Sequence, residues 1–155
     1  MLPAIAEKVA ASPFADWASQ NAFAYPAANV AHVFGLVLLL GGIGLIDLRL
    51  AGAFRALPLQ PLARALTPLA IGGLILLALS GSVMFASDAE ALARNGTFRL
   101  KLLLIALALA NAALFRWKAG SLIAEPGPGL RLMALCSLAL WTTVAICGRL
   151  IAYSG

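Results

Sequence analysis

Apolar residues run almost without interruption through four stretches of the chain, roughly residues 27 to 50, 64 to 86, 98 to 118 and 129 to 153. Each reaches about 20 residues, the length an α-helix needs to cross the hydrocarbon core of a bilayer. Polar and turn-forming residues collect between them. The first connection, "FRALPLQPLAR", holds two prolines and two arginines and predicts a short turn. The second, "SDAEALARNGTF", opens with Ser87 and Glu90 at capping-box spacing and closes with Asn95-Gly96, which predicts one or two turns of interfacial helix. The third, "AGSLIAEPGPG", is turn chemistry. Pro68 falls about one turn into the second stretch, where proline is tolerated.

The first 25 residues carry a different pattern. Leu2, Ile5, Val9, Phe14 and Trp17 recur at helical spacing, with Glu7, Lys8, Asp16 and Gln20 between them. Ser12-Pro13 is a helix-start pair. The segment predicts an amphipathic helix on the membrane surface, ended by Tyr25-Pro26. The predicted architecture is therefore all-α: an integral membrane four-helix bundle over residues 26 to 155, preceded by an interfacial amphipathic segment over residues 1 to 25.

Composition closes the alternative of a soluble domain. Of 155 residues, 63% are hydrophobic and 11% charged, far from the balance of soluble chains. The start, "MLPAIAEKVAASPFADWASQ", has an acidic residue before its single lysine and reads as mature protein rather than a signal peptide. The net charge of +5 comes from basic residues scattered singly around the ends of the apolar stretches. That placement fits lipid headgroups and orientation, not nucleic acid.

Four spans put both termini and the second connection on one face of the membrane, side A, with Lys8, Arg94, Arg99, Lys101 and Arg149. The opposite face, side B, has Arg49, Arg55, Arg64, Arg116, Lys118 and Arg131. Three of these arginines crowd the first short connection, which favours side B as cytoplasmic.

His32, the only histidine, lies one to two turns inside side A. An ionisable residue inside a span is a functional-site hypothesis, and this is the one imidazole available as a metal ligand or proton carrier. The alternative is a neutral histidine bonded to a nearby carbonyl or to Asn29. Gly35, one turn deeper on the same face, leaves room for a flat ligand or for a close helix. Arg99, Lys101 and Arg149 belong to the same end. The group suits a haem b held by His32, with propionates met by Arg99 and Arg149; Lys101 reads as a lysine reaching for headgroups.

Asp47 is fifteen residues beyond His32, about 22 Å along a helix, and cannot share its ligand. Its expected role is a structural ion pair with Arg49 or Arg116. Cys136 and Cys147 lie about 16 Å apart on one helix and cannot bridge. Copper held by His32, Met84 and Cys147 is the second cofactor reading. A cofactor-free structural or accessory subunit is the third. No phosphate loop, metalloprotease histidine pair or catalytic triad is present in the sequence.

The segments "SGSVMF" and "NGTFRLKLLLIALALANAALFR" resemble the glycine-rich turn, the Lys-Leu-Leu helix and the trailing Asn and Arg of CopD-type copper-resistance membrane proteins. "AHVFGLVLLLGGIGLIDLRL" resembles the histidine-and-glycine helix shared by that group and the HemJ-type protoporphyrinogen oxidases. Together with "YPAANVAHVFG", "FRLKLLL" and "GRLIAY", the pattern over roughly residues 25 to 153 is similar to a family of small four-span bacterial membrane proteins. The resemblance implies a bacterial inner-membrane protein with His32 at the family histidine, associated with haem b or copper. A chain with one strong axial ligand would complete a bis-histidine centre only as a homo-oligomer, or serve as a subunit of a membrane complex.

Overall fold

A computed structural model describes residues 2–119, 126–151 and 153. Among them the chain forms helices only: α1 (Leu2–Ala10), α2 (Pro13–Gln20), α3 (Ala24–Ala51), α4 (Leu59–Ser87), α5 (Ala89–Arg94), α6 (Gly96–Ala119) and α7 (Pro128–Ile151). The four long helices α3, α4, α6 and α7 are each long and apolar enough to cross a membrane. Many of their large apolar side chains point outward, among them Val33, Val37, Ile75, Leu79, Leu103 and Leu132, as expected of helices solvated by lipid rather than water. The chain is a multi-pass membrane protein.

Three of the four spans, α3, α4 and α6, begin and end outside the predicted limits. α3 starts at Ala24, so Tyr25-Pro26 lies in its first turn instead of ending the preceding segment; proline there gives up only an amide that has no helical partner. α4 starts at Leu59, which turns the predicted loop residues Gln60 to Arg64 into helix and leaves Pro68 in the interior. The carbonyl of Arg64 consequently lacks its i+4 donor. α3 ends at Gly52, whose φ of 112° lets the amide of Ala53 reach the carbonyl of Leu48 at 2.9 Å. Most of the third connection lies outside the described residues.

Tight packing is concentrated where α3 meets α4. A Cβ added to Gly73 would sit 2.6 Å from the amide nitrogen of Leu39 and 2.7 Å from the carbonyl oxygen of Gly35. One added to Gly42 would meet Leu66 O at 3.0 Å and Ala70 at 3.1 Å. Gly35 and Gly42, seven residues apart, thus set α3 against the backbone of α4, the small-residue device that lets membrane helices approach. Asn111 of α6 donates to the carbonyl of Met133 on α7 at 3.0 Å, tying the other helix pair together.

The N-terminal segment is two short helices, not one. Ser12 caps α2 by accepting from Ala15 N at 3.3 Å, with Pro13 at the first helical position. The segment's packed contacts are made chiefly by alanines: Ala6 packs on Ala89 and Ala93, and Ala15 and Ala18 on Ala86, with Leu2 and Val9 beside them. Ile5, Phe14 and Trp17 stay about half exposed. Alanines make the intramolecular contact because they permit close helix approach, which leaves the large side chains for the membrane surface. The predicted capping box is absent. Ser87 directs its hydroxyl back to Val83 O and across to Ala18 O, while Asn95 ends α5 and then accepts from Phe98 N at 3.1 Å to start α6.

Candidate functional site

His32 projects from α3 toward the side A end of α4. Its Nδ1 lies 2.9 Å from Oγ of Ser80, and its Cε1 lies 3.3 Å from where a Cβ on Gly81 would be. Ser80 is buried and donates its only hydroxyl proton to the carbonyl of Leu76 at 2.6 Å. With that proton committed, Oγ can only accept from the imidazole, so the proton of a neutral ring sits on Nδ1 and Nε2 carries a lone pair. A ring nitrogen fixed through a hydrogen bond at its other nitrogen is the arrangement found behind metal-ligating histidines.

Two further helices converge on this end. Lys101 of α6 folds over α7, its Nζ 3.3 Å from the position a Cβ on Gly148 would take. It lies within electrostatic reach of both His32 and Cys147. Cys147 is buried with a free thiol, whereas Cys136 is exposed. His32, Ser80, Lys101 and Cys147 thus bring one residue from each span to the same depth.

The other residues expected around His32 are elsewhere. Gly35 is no ligand cradle: an added Cβ would lie 2.9 Å from Gly73 O and from Leu77 Cγ, so the space is already filled by α4. Arg99 is exposed and donates through Nε to Ala93 O at 2.9 Å. Arg149 is also exposed; it donates to the hydroxyl of Tyr153 at 2.7 Å and stacks over that ring at 5.0 Å. Both arginines fold onto their own segment ends, and Lys101, expected to reach for headgroups, is the cation that turns inward.

The predicted ion pair of Asp47 with Arg49 or Arg116 is not found among the described residues. Residues two apart on a helix point in different directions, and Arg49 instead donates to Leu57 O at 2.7 Å, closing the α3–α4 connection. Arg116 is exposed at the end of α6. Asp47 is 4% exposed, and its buried Oδ2 has no hydrogen-bond partner among the described residues.

Ser80 and Lys101 are the residues that sequence reasoning missed. Depth was the available signal: His32 is eight residues into α3 and Ser80 seven from the end of α4. In antiparallel neighbours those positions coincide.

The donor set distinguishes between cofactors. Among the described residues no three His, Cys, Asp or Glu side chains gather closely enough to hold a metal ion. One imidazole with a free Nε2, beside an amine that can meet a carboxylate, fits an axial ligand and a propionate partner of haem. A cation beside His32 and Cys147 opposes a bare metal cation. The chain matches no protein-family model, no curated protein and no solved structure.

Proposed function

We propose that the protein is a small inner-membrane haem b protein in which Nε2 of His32 is the axial ligand and Lys101 meets a propionate, serving electron transfer or sensing. The observation that carries this reading is the Ser80 relay, which presents a lone pair at Nε2 while an amine stands nearby. Bound haem supplies one-electron chemistry at iron. The chain's own contribution is to orient the imidazole through Ser80 and Leu76, to offset propionate charge with Lys101, and to exclude water with the lipid-facing spans. His32 is the only imidazole in the chain, so a second histidine at the haem would have to come from another copy.

Copper handling through His32, Met84 and Cys147 is the competing reading, and Lys101 separates the two. Haem carries carboxylates that Lys101 attracts; cuprous ion is a cation that it repels. Parallel titrations of purified protein with haem and with cuprous ion test this. Haem should bind, and Lys101→Met should weaken binding by about tenfold, the effect of one charge-assisted contact. Stoichiometric cuprous binding that disappears in His32→Ala, without haem binding, would overturn the proposal.

The orientation that accompanies this reading has periplasmic termini and Arg55 and Arg64 in the cytoplasm, so the haem end faces the periplasm. Cysteines introduced at Gln60 and Glu90, both exposed, should show labelling by an impermeant thiol reagent only at residue 90 in intact cells. Labelling only at residue 60 reverses the orientation.

A further inference from the structure

At the opposite end of α3 the structure has a pocket of about 320 Å³ between α3 and α7. Gly41 and Gly44 line it on one side, Leu138, Trp141 and Thr142 on the other, and Asp47 forms part of its wall. It extends along α3 from Leu40 to Leu48, about 12 Å. Nothing fills the places where side chains at Gly41 and Gly44 would be: a Cβ on Gly41 meets no atom within 4 Å, and one on Gly44 only Leu138 Cδ2 at 4.0 Å. Leu45 and Leu48 beside it are about 40% exposed, so the pocket communicates with the acyl chains around the bundle.

Asp47 is the only charged residue in the lining. Its Oδ2 is buried and has no hydrogen-bond partner among the described residues. A buried oxygen without a hydrogen-bond partner is costly, and a donor brought to it offsets that cost. The missing element is a donor, and an ammonium supplies one together with the compensating charge. Apart from Thr142 the rest of the wall is apolar or aromatic, which suits a hydrocarbon body, and Trp141 offers a ring to the cation.

We propose that this pocket binds a lipophilic ammonium, a primary or secondary amine on a short hydrocarbon chain, which enters from the bilayer and hydrogen-bonds Asp47. Size agrees: 320 Å³ lies at the small end of ligand sites. Quaternary amines carry the charge without the N–H and bind more weakly. The site is independent of His32, which lies about 22 Å away along α3.

The test is a fluorescence titration of the full chain in lipid nanodiscs, with Trp17→Phe and Trp117→Phe leaving Trp141 as the only tryptophan. Octylamine should give a saturable change in Trp141 emission. Octanol and octyltrimethylammonium should need at least about tenfold more ligand, as expected for loss of a charge-assisted hydrogen bond. Asp47→Asn should weaken octylamine to the level of octanol. Gly44→Leu, which fills the pocket and leaves Asp47 in place, should abolish the response, and it carries the test if Asp47→Asn fails to fold. The proposal is overturned if octylamine gives no saturable response, if octanol matches it, or if Gly44→Leu leaves the response unchanged.

Discussion

α3 presents glycines to two neighbours with opposite results. Toward α4, Gly35 and Gly42 meet backbone atoms and the side chains of Leu77 and Ala70 at about 3 Å, and the seam is closed. Toward α7, Gly41 and Gly44 meet almost nothing, and the seam opens into a pocket. Each seam also carries one ionisable residue of α3. On the closed seam His32 finds Ser80; on the open one Asp47 keeps an orphaned oxygen. A glycine in a membrane helix is therefore either a point of backbone approach or a void, and the opposing residue decides which. Gly73 opposes Gly35; Leu138 stands back from Gly44.

The largest expected effect lies on the closed seam. Gly73→Ala drives a methyl group into the backbone of α3 and should cost about 1 to 3 kcal/mol or more, read as a lowered melting temperature in detergent by circular dichroism. Its neighbour Gly72, with nothing within 4 Å of an added Cβ, should instead accept alanine with no loss. Equal destabilisation by the two substitutions would remove the distinction between the seams.

A somewhat smaller effect, of opposite sign, is expected on the open seam. Asp47→Leu removes a buried oxygen that has no partner, and should be neutral or stabilising by about 1 to 3 kcal/mol. A clear loss of stability would mean that the carboxylate is satisfied and that the pocket is not what isolates it. This reverses the role expected from sequence, where Asp47 was to be clamped by Arg49 or Arg116.

The smallest effect sharpens the comparison further. Gly41→Ala places a methyl group in open space, and should change stability by less than about 0.5 kcal/mol or raise it slightly through helix propensity. A penalty as large as that of Gly73→Ala would show that α7 closes onto α3 in the bilayer.

The four spans were legible because hydrocarbon demands long apolar helices and tolerates little else. Their ends were less so. Gln60 to Arg64 has loop composition, yet Pro61 sits in the first turn of α4, where proline is no obstacle. At the N-terminus the periodicity of large apolar residues reveals helix but neither its division into α1 and α2 nor the contacts of Ala6, Ala15 and Ala18, because small apolar residues carry little weight in that pattern. At the candidate site His32 stood out as the single imidazole. Ser80 did not, since a serine in a span is an ordinary packing residue until its depth is matched to a partner. Arg99, Arg149 and Lys101 all lie near one membrane face, and only the fold distinguishes the cation that turns inward from those that fold onto Ala93 and Tyr153.

Haem binding depends most heavily on Nε2 of His32, and the absorption spectra of wild-type protein and His32→Ala, both expressed with ample haem, test it most directly. The substitution should leave the bundle folded, because Ser80 keeps its bond to Leu76 when the imidazole is gone. Wild-type protein should purify with a Soret band, and His32→Ala should lose it while keeping the helical content of the parent. A colourless wild-type protein, or a His32→Ala spectrum identical to it, would contradict the haem assignment and return His32 to a packing residue bonded to Ser80.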